Sequence, residues 1–158
     1  MISVKIINHI LNIIEIKTWR KINNMIIQKT IKINTNTKTE LINITPQIQN
    51  TIKNTIQNGI INIYTKHTTT SIIINEDEKN LKKDILNTLK EIIPNKKYQH
   101  DTIDNNAKSH LESLILPTTE TIPIQNGKLQ LGTWQSIFLI EHDGPRNNRT
   151  INITIIGE

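Results

Sequence analysis

Several residue types are scarce or absent in this chain of 158 residues. It has no cysteine, and its aromatic residues are two Trp, two Tyr and one Phe. Without cysteine there can be no disulfide framework and no thiolate ligation, so a metal ion must be held by histidine nitrogen or by carboxylate or amide oxygen. So few aromatic side chains offer little for stacking on bases, and the lysines and arginines are scattered along the chain. The net charge of +5 and pI near 9.5 therefore do not indicate a nucleic-acid partner.

Long hydrophobic runs are also missing. The richest apolar stretch, Ile6 to Ile16, is interrupted by polar residues such as Asn8 and Glu15. This interruption excludes a membrane-spanning helix, and no small-residue cleavage site of a signal peptide follows the stretch. We therefore expect a cytoplasmic protein with no membrane partner.

Residues 1–23 form an N-terminal extension with two interpretations. Its isoleucines, Ile6, Ile7, Ile10, Ile13 and Ile14, share one helical face, which favours a short amphipathic helix. Chain termini are often poorly ordered, however, and a poorly ordered extension fits equally well.

The remainder, residues 24–158, is predicted to be one α+β domain with a mostly antiparallel sheet covered by helices. Alternating isoleucines after Met25 predict a strand, and Thr45-Pro46 predicts the start of a helix that ends at Asn58-Gly59. Asn126-Gly127 between two apolar runs predicts a hairpin. The order of predicted elements is β-α-ββ-α-α-ββββ, which is typical of the α+β class.

Histidines and neighbouring carboxylates are the main candidates for chemistry. His67 opens a run of hydroxyl residues that includes Thr68 and Thr69, and His100-Asp101 lies in an aperiodic segment. His110 shares a helical face with Ala107, Leu111 and Leu114, so we expect its side chain to point inward. Three histidines with carboxylates nearby could hold zinc or a similar ion, although their spacing matches no local metal motif.

Other candidates lie where strands end. Asn75 and Glu76 follow the second strand of the His67 pair, and Glu141 ends another strand. Trp134 could be core or pocket wall. Arg146 follows the turn Asp143-Gly144-Pro145, and it could either bind an anion or pair with Glu141.

Several of these segments together resemble the YjbQ-like family, which is described as a secondary thiamine-phosphate synthase family. The matching segments are His67-Thr68-Thr69 with Asn75-Glu76, Tyr98-Gln99-His100-Asp101, Ser109-His110-Leu111, Gly132-Thr133-Trp134-Gln135, and Glu141 with Asp143-Gly144-Pro145-Arg146. The resemblance covers nearly the whole chain, and its motifs occur in the same order.

The resemblance implies a homotrimer with sites near subunit boundaries. It also implies a thiamine-phosphate synthase activity, which joins a hydroxymethylpyrimidine pyrophosphate to a thiazole phosphate and releases pyrophosphate. The substrates expected are therefore phosphorylated small molecules. Two other functions stay open: a metal-dependent phosphohydrolase, and a non-catalytic ligand-binding trimer.

On this hypothesis the candidates divide into three roles. The metal ligands are His67, His100 and His110, which would hold a divalent ion, zinc or magnesium. The catalytic residues are Asp101, Glu141, Asn75 and Glu76, with Asp101 or Glu141 as a general base or as a support for the ligands. The substrate-binding residues are Thr68, Thr69, Trp134, Gln135 and Arg146.

The expected homotrimer can be tested directly. The strand-rich C-terminal third has sheet edges that need covering, which assembly would supply. Static light scattering of the purified chain at micromolar concentration should give three times the chain mass of 18.2 kDa. Charged residues such as Lys32, Lys128 and Arg149 could instead protect the edges of an isolated domain, and a mass of one chain would contradict the trimer.

Overall fold

A computed structural model describes residues 25–158, and the expectation for residues 1–23 lies outside this range. The strands are β1 (Met25–Thr35), β2 (Glu40–Asn43), β3 (Gly59–Thr65), β4 (Thr70–Glu76), β5 (Thr119–Gln125), β6 (Lys128–Leu129), β7 (Gln135–Glu141) and β8 (Arg146–Gly157). The helices are α1 (Thr45–Ile52), α2 (Lys79–Ile92) and α3 (Ala107–Leu114), with a 3₁₀ turn at Gln99–Thr102 before α3. The α+β class is confirmed.

The strands form two antiparallel sheets. One sheet has five strands in the order β1-β8-β3-β5-β6, and the other has three in the order β2-β7-β4. In the larger sheet, alternate residues of β8 point inward because successive side chains of a strand lie on opposite faces. Ile151, Ile153 and Ile155 are accordingly buried, and β3 buries Ile61 and Ile63 in the same way.

One hydrophobic core joins both sheets to α1. It contains Ile61 and Ile153 from the larger sheet, Ile72 and Leu139 from the smaller sheet, and Ile48 from α1. Burying an isoleucine side chain contributes roughly 1.5–3 kcal/mol, so this isoleucine-rich cluster is the main source of stability.

The first helix differs from its prediction at both ends. Thr45 is not the cap, because Ile44 takes that place and makes no side-chain capping bond. The Thr45 hydroxyl instead accepts a hydrogen bond of 2.8 Å from the backbone N–H of Ile137, which ties α1 to β7. The helix ends at Ile52 rather than at Asn58-Gly59. The sequence also gave no signal for β2, a strand of four residues that pairs with β7.

The prediction for the inward face of α3 is wrong. The helix buries Ala107, Ser109, Glu112 and Ser113, whereas Leu114 is 78% exposed. The buried serines form hydrogen bonds to backbone oxygens, from Ser109 Oγ to His142 at 2.7 Å and from Ser113 Oγ to Thr70 at 2.9 Å. This helix therefore packs through small polar side chains, and His110 lies at the margin of the contact, half-buried.

No helix in residues 25–158 is long and apolar enough to cross a membrane.

The hairpin between β5 and β6 supplies a prediction about stability. Gly127 has φ of +68°, where a side chain is strained, although a Cβ at this position would meet nothing closer than 3.8 Å. We expect Gly127→Ala to lower the free energy of unfolding by about 1 kcal/mol, measured in urea. Gly132→Ala is the control, because Gly132 lacks a positive φ and its Cβ would make ordinary contacts. Equal effects of the two substitutions would contradict this reasoning.

Candidate functional site

A buried ion pair lies where the two sheets meet. Glu141 ends β7 and is fully buried, and Arg149 lies on β8 with 8% of its surface exposed. The Arg149 side chain donates from Nε to Glu141 Oε2 and from Nη2 to Glu141 Oε1, both at 2.6 Å. This two-pronged contact is the strong geometry for an arginine–carboxylate pair, and it joins the smaller sheet to the larger one.

Further donors complete the surroundings of the Glu141 carboxylate. The Thr35 hydroxyl donates to Oε2 at 3.2 Å, and the backbone N–H of Asp143 donates to Oε1 at 2.8 Å. Arg149 Nη2 also donates to the Thr69 hydroxyl at 3.1 Å. Because protein donors surround its carboxylate, Glu141 fits a supporting role better than that of a general base.

His67 lies beside this ion pair. Its Nε2 accepts a hydrogen bond of 2.9 Å from the backbone N–H of Thr150 on β8. Burial and the positive charge of Arg149 lower the pKa of His67 from its ordinary value, which favours the neutral imidazole at neutral pH. Of the predicted hydroxyls that follow it, Thr68 is exposed and Thr69 is buried.

His100 and His110 form a second group. Their ring centroids lie 5.1 Å apart with the rings nearly perpendicular, and the Nε2 of His100 is buried without a hydrogen-bond partner. Both line an open cleft of about 360 Å³ together with Tyr98, Ala107 and Leu111, which we call the histidine cleft. Two imidazoles and an unsatisfied ring nitrogen are therefore available at one place.

Asp101 holds this second group in position. Its carboxylate accepts backbone hydrogen bonds from Tyr98 at 2.9 Å and from Ala107 at 3.0 Å. These bonds lower the pKa of the Asp101 carboxyl, so that it is deprotonated at neutral pH. With both oxygens occupied, Asp101 fits the predicted supporting role better than that of a base.

The histidine pair meets part of the requirement for a metal site. A catalytic zinc usually has three protein ligands, and the pair supplies two. Within residues 25–158 of one chain, no three His, Cys, Asp or Glu side chains are placed to hold a metal ion together. The predicted group of His67, His100 and His110 is therefore not assembled within one chain, and its assembly with a second copy stays a prediction.

The other predicted residues lie at the far end of the smaller sheet. In the pairing of β4 with β7, Thr70 is opposite Glu141, whereas Glu76 is opposite Gln135. Six residues of strand separate these ends, or roughly 20 Å. Asn75, Glu76, Trp134 and Gln135 thus form a group remote from Glu141 in the same chain, and Trp134 is 73% exposed.

Arg146 pairs with a different carboxylate from the one considered in the sequence. Its Nη2 donates to Asp143 Oδ2 at 2.7 Å, and its side chain is 53% exposed. Glu141, the expected partner, is occupied by Arg149. The exposed guanidinium still has other N–H groups, so the prediction that it binds an anion remains open.

Two buried residues near the β7–β8 connection, Arg149 and His142, are not among the site residues predicted from the sequence. The sequence presents Arg149 as an edge charge, whereas the structure buries its side chain on the same face of β8 as Ile151, Ile153 and Ile155. Its spacing of two residues from Ile151 is the signal that could have identified it. His142 is 1% exposed and therefore buried as well.

Comparison with known proteins places these observations in a family. Residues 29–158 match the family model described as UPF0047 protein YjbQ-like. A UPF0047 protein of Methanothermobacter thermautotrophicus is 42% identical over 130 residues, which cover 81% of this chain and 90% of that protein. The YugU protein of Bacillus subtilis is 36% identical, with 82% of this chain and 98% of that protein covered.

A solved structure supports the same relationship. The crystal structure of a protein of unknown function from Sulfolobus solfataricus, described as YbjQ-like, is 40% identical to this chain with a TM-score of 0.83. The match covers 86% of this chain and all of that one.

The ion pair yields a test of what stabilises the site. Removing one partner of a buried pair leaves an uncompensated charge, so we expect Arg149→Met to lower the free energy of unfolding by about 3–5 kcal/mol. Arg146→Met is the matched control, because its exposed pair with Asp143 contributes at most about 1 kcal/mol. Urea denaturation of both variants measures the difference, and an Arg149→Met variant as stable as Arg146→Met would show that the buried pair is dispensable.

Proposed function

Because the chain belongs to the YjbQ/UPF0047 family, we propose that it is a metal-assisted transferase acting on phosphorylated small molecules. The specific reaction proposed is the thiamine-phosphate synthase reaction that the family resemblance implies. In that reaction the thiazole nitrogen bonds to the methylene carbon of the pyrimidine, the carbon–oxygen bond to the pyrophosphate breaks, and pyrophosphate leaves. The observation that carries the proposal is the contact of His100 with His110, together with the buried, unpartnered Nε2 of His100.

The proposed metal ligands are the imidazoles of His100 and His110. Imidazole is a good ligand for zinc, whereas magnesium prefers oxygen, so the pair favours zinc of the two expected ions. Bound there, the ion would supply positive charge that stabilises the leaving pyrophosphate. Since one chain provides two ligands, the proposal takes the third, His67, from another copy in the expected homotrimer.

The chain's other predicted residues have supporting tasks in this proposal. Asp101 accepts two backbone hydrogen bonds, from Tyr98 and from Ala107, the first residue of α3. These bonds fasten the 3₁₀ turn, which contains His100, to the start of α3. Arg146 has exposed N–H groups that could bind a phosphate in two-pronged fashion. The pairing of Arg146 with Asp143 limits its movement and keeps it beside the β7–β8 turn.

The proposal is tested by measuring metal and product on the same samples. We expect the purified chain to retain zinc after dialysis and to form thiamine phosphate from the two phosphorylated precursors. His100→Ala and His110→Ala should each lower bound zinc and product formation by roughly tenfold or more, because each removes a ligand. Elemental analysis gives the zinc content, and chromatography gives the product.

Gln99→Ala is the matched control, since Gln99 is exposed in the same 3₁₀ turn and has no predicted role. It should keep both zinc and activity. A parent chain that retains no zinc, or forms no thiamine phosphate when zinc is supplied, would overturn the proposal. Release of inorganic phosphate without formation of thiamine phosphate would show that the chain is a phosphohydrolase rather than a transferase.

A further inference from the structure

A second cleft, of about 520 Å³, lies against the start of α3 and shares no lining residue with the histidine cleft. Its walls carry four lysines, Lys38, Lys96, Lys97 and Lys108, and we call it the lysine cleft. They come from the β1–β2 turn, from the segment after α2 and from α3. Two carboxylates, Asp101 and Glu112, also line it, so positive charge predominates.

The lysine cleft is lined in part by buried polar groups. His142 is 1% exposed and Glu112 is 3% exposed, and both contribute to the lining. His142 Nε2 lies 3.1 Å from Ser71 Oγ, and His142 Nδ1 lies 3.3 Å from Glu112 Oε2. That Nδ1 is buried and makes no hydrogen bond.

The surroundings of His142 decide which ring nitrogen carries hydrogen. A lone pair on Nδ1 would face the Glu112 carboxylate and be repelled by it, whereas an N–H at Nδ1 is attracted. Ser71 can donate its hydroxyl hydrogen to Nε2, which suits the same tautomer. His142 therefore presents a buried N–H that faces the Glu112 carboxylate without a hydrogen bond to it. A buried donor that makes no hydrogen bond is costly.

Asn106 adds a second unsatisfied atom to the same cleft. Its Nδ2 donates to Asp143 Oδ2 at 3.3 Å, and this contact fixes the orientation of the amide. Its Oδ1 is buried and has no partner. The lysine cleft thus combines a positive rim with one unused donor and one unused acceptor.

These features suit a phosphate group better than a metal cation. Phosphate oxygens can accept hydrogen bonds from lysines and from His142 Nδ1, and a protonated phosphate oxygen or a neighbouring hydroxyl can donate to Asn106 Oδ1. The charge of Glu112 is offset by Lys108, whose Nζ lies 3.6 Å from Glu112 Oε1. The volume falls within the range of small-molecule sites.

We propose that the lysine cleft binds the diphosphate end of a phosphorylated small molecule, with His142 as a hydrogen-bond donor to it. The assignment rests on the proposed function in taking a phosphorylated substrate. Asp101 lines the lysine cleft and its neighbour His100 lines the histidine cleft, so the two clefts meet at the 3₁₀ turn. The binding of phosphate itself needs neither zinc nor a second substrate.

The test is calorimetric titration of the full chain with inorganic pyrophosphate in the presence of EDTA, which removes metal-mediated binding. Lys38→Gln/Lys97→Gln removes two exposed charges that line the lysine cleft from separate segments of the chain, and we expect it to raise the Kd roughly tenfold or more. Lys32→Gln/Lys128→Gln is the matched control, since it removes the same charge from exposed positions on β1 and β6. The control should change the Kd by less than roughly twofold.

A second measurement reports on His142 without altering it. In ¹⁵N spectra of the histidine rings, saturating pyrophosphate should shift the Nδ1 resonance of His142. No saturable binding, equal effects of the two double variants, or an unmoved His142 resonance would each overturn the assignment. The assignment would also be overturned if a divalent cation bound at His142 and pyrophosphate did not bind.

The outcome is separable from that of the proposed function. His110→Ala should lose product formation but keep the Kd for pyrophosphate, because His110 does not line the lysine cleft. If the chain binds pyrophosphate there but makes no thiamine phosphate, the proposed function fails and the anion site stands. If the chain makes thiamine phosphate but the Lys38→Gln/Lys97→Gln variant binds pyrophosphate as tightly as the parent, the proposed function stands and the anion site fails.

Discussion

The ion pair between Glu141 and Arg149 is the contact on which the candidate sites depend. It joins the end of β7 in the smaller sheet to β8 in the larger one, at a place where neither side chain reaches much solvent. Removing both charges from water is costly, and the cost is met only because hydrogen bonds occupy the carboxylate oxygens. Those bonds come from Thr35 at the end of β1 and from the backbone of Asp143.

The same pair determines where the neighbouring loops lie. Arg149 donates to the Thr69 hydroxyl, and the backbone N–H of His142 donates to the backbone carbonyl oxygen of Thr69 at 3.0 Å. The β3–β4 connection, which carries His67, and the start of the β7–β8 connection are thus fastened to each other. Ser109 then donates to the His142 oxygen, so α3 is positioned by the loop that the ion pair holds.

Part of this arrangement was readable from the sequence. Alternating isoleucines predict β1, because a strand with one buried face needs that alternation. Asn126-Gly127 predicted the hairpin, since both residues adopt the positive φ that its turn requires, 51° and 68°. The family resemblance located the histidine segments without indicating how far apart they would be.

The rest could not be read because it depends on register and on tertiary contacts. Isoleucine occupies exposed positions too, such as Ile26 and Ile60, so hydrophobicity alone separates the faces poorly in this chain. The inward face of α3 was misjudged because its serines are buried against backbone oxygens that only the fold brings near. The separation of Asn75 and Glu76 from Glu141 follows from the β4–β7 register, which no single strand reveals.

Asp101 links the two clefts physically. One of its oxygens holds the backbone of Tyr98, which lines the histidine cleft, and the other holds Ala107 at the start of α3. Asp101 itself lines the lysine cleft. A shift of the 3₁₀ turn would therefore move His100 and the wall of the lysine cleft together. A carboxylate in this position is of more use as a fixed support than as a base, because accepting a proton would weaken the two hydrogen bonds that keep both clefts in place.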